Sequence, residues 1–368
     1  MVAAPYILAA LGLAVLMVVH EGGHYLAARK FGMRVIRFSI GFGPRLYQHK
    51  PAGSPTVYQI CIIPFLAYVQ IAGMNPYEEI DPKDPGSYAN ASLWGRIVTI
   101  SAGPLANYFF ASVLMFFAFI LGGRTIVDET SMRVSVAADG AAHAADIRDG
   151  DKMLAVNQEP VHDWEELKKA IGAHPGEKIT ITVQRGSSAS DENAGVKMDI
   201  PVTPAPKGDK YEGKILIGPE YRTETVGVGG AALLSVTEPP KVVYGLVRGL
   251  GRMITGKEKP ELSGPVGIVK ETAGAVRIGA GATFHFLGAL SAYLGGFNLL
   301  PFPALDGGRL IFLAFEAASR RKPDAKVEAR VHAIGLLMML TLIAFVTYTE
   351  VMPKSPPAES TPTTAPAK

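Results

Sequence analysis

Four stretches of the chain are apolar for long enough to be read as membrane-crossing helices, judged against the roughly 20 residues that a helical span needs. They run from about Ala3 to Ala28, from Ile97 to Leu121, from Thr283 to about Phe315, and from Val331 to Tyr348. No Lys or Arg precedes the first and no clear small-residue cleavage site follows it, so it reads as a retained helix rather than a signal peptide. Pro301 and Pro303 must break the third. Gly41-Phe42-Gly43-Pro44 and the run Thr56 to Gln70 predict a β-hairpin between the first two spans.

Between the second and third spans the pattern changes. Arg133 to Val136, Met153 to Val156 and Ile179 to Val183 read as strands, with helical spacing from Trp164 to Ile171 and turns at Ile147 to Asp151 and His174 to Glu177. A small domain of strands with a helix is expected at 124–205. Ser187 to Lys214 is polar and broken by Gly and Pro, as loops and linkers are. After Pro239-Pro240, apolar residues recur at helical intervals with Lys241, Arg248 and Arg252 between them. That predicts an amphipathic helix, lying on the membrane surface or packed on the core. The expected order is thus an N-terminal membrane core (1–123), the small domain (124–205), a linker and amphipathic helix (206–282), a C-terminal membrane core (283–351) and a disordered tail (352–368).

Composition agrees with a membrane protein. Of 368 residues 48% are apolar and only 19% charged, and the mean hydropathy of +0.21 is high for a soluble globule. A net charge of +3 is too slight to suggest a nucleic-acid partner. A single cysteine, Cys61, excludes an internal disulfide and a cysteine metal cluster. Placement of positive charge is more telling. Arg29, Lys30, Arg34, Arg37, Arg45 and Lys50 follow the first span, Arg96 precedes the second, and Arg320, Arg321, Lys322, Lys326 and Arg330 separate the third and fourth. Those segments should be cytoplasmic, which puts the small domain outside.

His20-Glu21-Gly22-Gly23-His24 lies near the cytoplasmic end of the first span. Residues four apart share a helix face, so His20 and His24 can reach one ion with Glu21 beside them. A catalytic zinc needs a third protein ligand and an open position for water. The residues after His24, Tyr25-Leu26-Ala27-Ala28-Arg29-Lys30, contain no third histidine. Asp306 is the only carboxylate in the apolar run from Thr283 to Phe315. Alone it reads equally as a helix cap; beside the histidine pair it reads as the missing ligand, because a cation removes the cost of burying the carboxylate.

Four elements together, His20-Glu21-Gly22-Gly23-His24, Gly103-Pro104-Leu105-Ala106-Asn107, Gly264-Pro265-Val266-Gly267-Ile268, and Asn298 through Pro301, Pro303 and Asp306 to Gly307, make the chain resemble the site-2 protease family. The match is to the bacterial group of intramembrane zinc metalloproteases with one PDZ domain. Residues 125–205 resemble that domain most clearly at Gly150 to Asn157, and depart from it at Asp146, where glycine is usual. The resemblance implies an α-helical membrane bundle of about four spans with a membrane-associated β-hairpin region and an inserted α+β PDZ-like domain. It implies zinc held by His20, His24 and Asp306, Glu21 as the catalytic acid/base, and Asn298 in substrate binding; Pro301 and Pro303 would shape the non-helical backbone beside it. Implied partners are the lipid bilayer, single-span protein substrates such as an anti-sigma factor or signal-peptide remnants, and a peptide ligand of the PDZ-like domain, which otherwise serves as a spacer or size filter. The implied setting is the bacterial inner membrane, with the active site opening to the cytoplasm. A non-catalytic membrane adaptor with a structural metal is the competing reading, and the presence of Glu21 argues against it.

Overall fold

The computed structural model describes residues 3–75, 81–138, 140–186, 195–206, 213–256 and 264–352. In chain order the elements begin with α1 (Ala3–Lys30), β1 (Val35–His49), β2 (Val57–Ile71) and α2 (Leu93–Gly122). Then come β3 (Arg124–Asp128), β4 (Val134–Val136), α3 (Ala141–Ala144), β5 (Lys152–Val156), β6 (Glu159–Pro160), α4 (Trp164–Gly172), β7 (Ile179–Arg185), β8 (Val196–Val202) and β9 (Ile217–Glu224). Five helices close the order: α5 (Val228–Ile254), α6 (Pro265–Ile278), α7 (Ala280–Asn298), α8 (Asp306–Ser319) and α9 (Ala325–Val351). The chain divides into two compact units, one formed by 1–122 with 227–368 and the other by 123–226.

In the first unit α1, α2 and α9 are long and apolar enough to cross a membrane. Helices α1, α2 and α7 meet around Leu16, Leu114 and Leu287, with small residues such as Ala111, Ser291 and Ala292 fully buried between them, as close packing of apolar helices requires. The third apolar run is not one helix. It divides into α7 and α8 around a break at 299–305, because Pro301 and Pro303 supply no backbone N–H and Ala304 adopts a left-handed φ of 73°. At the far end of α9, the Glu350 carboxylate accepts from the backbone N–H of Gly264 (2.7 Å) and Gly267 (3.1 Å) at the start of α6.

β1 and β2 form more than a simple hairpin. Phe38 is flanked by Tyr58 on one side and Val69 on the other, while Gln48 and His49 pair with Gln59 and Tyr58. The residues thus fall into adjacent runs 45–49, 57–61, 35–40 and 67–71. Ser39, Thr56 and Gln59 are buried, with Gln59 Nε2 donating to Ser39 Oγ at 2.9 Å and Thr56 Oγ1 to the Val35 carbonyl at 2.8 Å. Phe42, Leu46, Ile60 and Ile62 are exposed instead. Val35, Cys61 and Ile71 are buried beside the polar groups, so the sheet has a mixed interior and an apolar exposed face.

The second unit has two antiparallel sheets, in the orders β3-β9-β4 and β6-β5-β7-β8. Val134, Ile147, Met153, Leu167, Ile179, Ile181 and Val183 fill its core. Asp163 caps α4 by accepting from Glu166 N (2.8 Å), and the Glu166 carboxylate accepts from His162 N (2.9 Å), one residue before the cap.

Three expectations change. The polar stretch 187–214 contains strand β8, which sits at a sheet edge, where Pro201 is tolerated. The region 206–282 is more than a linker with one helix, for β9 lies within it and joins β3 to β4. The amphipathic helix begins at Val228, eleven residues before Pro239, so the proline pair lies inside α5 rather than ahead of it. The expected tail lies outside the described residues from 353 onward.

Candidate metal centre

α1 continues unbroken through Gly22 and Gly23, which puts His20 and His24 on one face. Their Nε2 atoms are 3.2 Å apart. Asp306 Oδ2 approaches them at 3.2 Å and 3.4 Å. The two histidines are 7% and 8% exposed, and one ligand atom from each of the three residues lies within 4.8 Å of the others. Two residues predicted on one helix and a third 282 positions beyond His24 are therefore brought to one point.

Asp306 could have served as a helix cap. It is instead the first residue of α8, Leu305 occupies the cap position without a side-chain bond, and the carboxylate is spent on the histidines. The preceding loop is pinned from α9, where His332 Nδ1 accepts from Ala304 N at 3.0 Å and Gly335 leaves no room for a Cβ beside Pro303.

Glu21 lies within electrostatic reach of His20, His24 and Asp306 and beside the backbone amide of Val69 in the 67–71 run. Asn298 ends α7, half-buried, and Pro301 and Pro303 follow in the loop that delivers Asp306. These three share the segment that ends at Asp306.

Helix α2 contributes residues to which sequence reasoning gave no role. Thr99 O lies 2.8 Å from His24 Nδ1. The Asn107 side-chain nitrogen lies 3.4 Å from His20 Nδ1. A Cβ at Gly103 would run into the His24 ring, and one at Gly23 into the Ala102 carbonyl, so both glycines permit the approach of α1 to α2. The available signal was the Gly103-Pro104-Leu105-Ala106-Asn107 element; a backbone acceptor such as Thr99 O leaves no mark in sequence.

A polar cavity of about 170 Å³ lies in the same unit, lined by Tyr88, Arg96, Arg309, Glu316, Glu328 and His332. Burial pushes the Tyr88 phenol up to about 12.

The model of peptidase family M50 matches residues 8–342, a span that contains both histidines, Glu21 and Asp306. The chain belongs to peptidase family M50. A provisionally named zinc metalloprotease of Rhizobium meliloti is 30% identical over 362 residues, covering 92% of this chain and 94% of the relative. One from Nostoc is 32% identical over 346 residues, covering 90% and 92%. Zinc metalloprotease RasP of Geobacillus kaustophilus is 29% identical over 408 residues, covering 90% and 94%. As an M50 member the chain is a metalloprotease, a hydrolase of a family that uses zinc. Its residues fit that ion: two imidazole nitrogens and one carboxylate oxygen are a donor set that leaves a position for water.

Proposed function

We propose that this M50 protein is an intramembrane zinc endopeptidase that cuts the membrane-spanning segments of single-span proteins, with His20, His24 and Asp306 as zinc ligands and Glu21 as general base and acid. The observation that carries the reading is the convergence of these three donors on helices of the membrane unit, with two of them on the apolar helix α1. Ionisable groups so placed are costly unless they serve a function.

Zinc bound there supplies Lewis acidity for the scissile carbonyl and makes a water nucleophilic near neutral pH. Glu21 takes the proton from the attacking water and later gives it to the leaving amine. A helical substrate hides its carbonyls, so the scissile region must be extended first. The 67–71 run, an edge of the small sheet beside Glu21, offers backbone groups for pairing with such a chain. Asn298 hydrogen-bonds the extended backbone, and Pro301 and Pro303 hold the loop open beside it. Water enters from the cytoplasmic side.

In this reading α7, 19 residues and roughly 28 Å long, is the fourth crossing. The protein sits in a bacterial inner membrane, and the 123–226 unit is a PDZ-like domain outside, where it binds peptides or screens substrates by size.

Glu21→Gln tests the proposal. Purified variant and wild type are compared for zinc content and for cleavage of a single-span membrane peptide in detergent. The variant should retain zinc and lose cleavage, whereas continued turnover would refute the role of Glu21.

A further inference from the structure

We infer that Asn107 is a positioning residue for the metal centre, its Oδ1 accepting the Nδ1–H of His20 so that the imidazole presents Nε2 to the ion. The inference rests on the zinc site proposed above.

His20 Nε2 faces both Asp306 Oδ2 and His24 Nε2, each at 3.2 Å, so Nε2 is the coordinating atom. A neutral imidazole that ligates through Nε2 carries its one proton on Nδ1 and requires an acceptor there. The group opposite Nδ1 is the amide of Asn107, which is 0% exposed. As placed, its Nδ2 stands 3.4 Å from Nδ1, and its Oδ1 is buried without a partner. Two donors would then oppose each other once the ion is bound. A half-turn of the amide leaves its shape unchanged and sets Oδ1 against Nδ1–H.

The backbone of Asn107 is fixed, because its carbonyl accepts from Ser291 Oγ at 2.8 Å. One further observation favours this polarity. His24 has the same arrangement with an acceptor that cannot be reversed, the Thr99 carbonyl at 2.8 Å from Nδ1. Thr99 and Asn107 are eight residues apart on α2, just over two turns, and so lie on one face. Helix α2 thus offers one acceptor to each histidine of α1.

The test uses full-length protein in detergent, stripped of metal and titrated with Zn²⁺ against a chromophoric chelator. Asn107→Leu keeps the bulk and removes the acceptor; it should weaken zinc binding by about 10- to 100-fold. Asn107→Asp keeps the shape and can only accept, and should bind zinc within a few-fold of wild type. Melting of the metal-free proteins shows whether Asn107→Leu also disturbs folding. If it does, rescue by Asn107→Asp decides the matter, because a purely structural role would not favour a buried carboxylate. Wild-type affinity in Asn107→Leu would overturn the inference. So would an Asn107→Asp as weak as Asn107→Leu, since the amide would then be a donor. His20→Ala is the reference: if it binds zinc as tightly as wild type, the metal centre itself is wrong and the inference falls with it.

Discussion

Arg96 and Glu316 form a buried two-bonded ion pair, Nη1 to Oε2 at 2.9 Å and Nη2 to Oε1 at 2.5 Å, with side chains only 8% and 11% exposed. It joins α2, which supports the histidines, to α8, which begins with Asp306. Arg96, the positive residue that precedes the second apolar stretch, is thus also a tie between two elements of the site. Removing one partner strands the other charge, which typically costs about 3–5 kcal/mol. Arg96→Met and Glu316→Leu should each lower the melting temperature of the detergent-solubilised protein sharply. The double variant should recover much of that loss. A double variant as unstable as the worse single one would count against the pairing.

Gly103→Ala should separate metal binding from folding. The new methyl group would meet the His24 ring at Nε2 and Cε1, so the imidazole must turn away from Asp306. We expect zinc affinity to drop at least about 10-fold, in the range for displaced ligand support, while the metal-free protein melts close to wild type. Measured stoichiometry near one zinc per chain at wild-type affinity would contradict this.

The loop before α2 should depend on pH. Arg34 donates to Asp84 at 2.6 Å, and this bond, with the Gly86 N–H, holds the Asp84 carboxyl below the usual carboxylate range. A depressed folded-state pKa stabilises at pH above the unfolded value of about 3.9, and that stabilisation is lost as pH falls through the folded value. Asp84→Asn should therefore be cut faster than wild type by a protease in this loop at neutral pH. The difference should shrink below about pH 4.

Asp146 stands at φ 66°, a conformation that glycine adopts freely and most residues avoid. Its side chain receives Arg148 Nε at 2.9 Å and Arg185 Nη1 at 3.3 Å, while its backbone carbonyl receives Arg185 Nη2. The pairing of this exposed carboxylate offsets part of the backbone strain. Asp146→Ala keeps the strain and loses the pairs, so it should lower thermal stability. Asp146→Gly relieves the strain and should be closer to wild type; the order of the two melting temperatures checks the account.

The His20, His24 and Asp306 convergence was legible because its signals are chemical: a fixed spacing of four, and one carboxylate in an otherwise apolar run. The break at Pro301 and Pro303 was legible too, since proline acts locally. What escaped depends on long-range packing. β8 and β9 lie among polar and Gly/Pro-rich residues, and only pairing with β7, β3 and β4 makes them strands. The start of α5 at Val228 was hidden by the proline pair, which reads as a boundary but is carried inside the helix. Thr99 contributes through its carbonyl, which every residue possesses.

Helix α9 is fastened at two points to other parts of its unit. His332 grips the amide of Ala304, two residues before Asp306, and Glu350, 18 residues or about 27 Å further along, grips the first turn of α6. That turn lines an apolar cavity of about 520 Å³ together with Leu13 and Met17 of α1 and Leu290 and Leu294 of α7. The helix therefore acts as a tie rod, and the loop that ends at Asp306 and the first turn of α6 are held by one and the same helix.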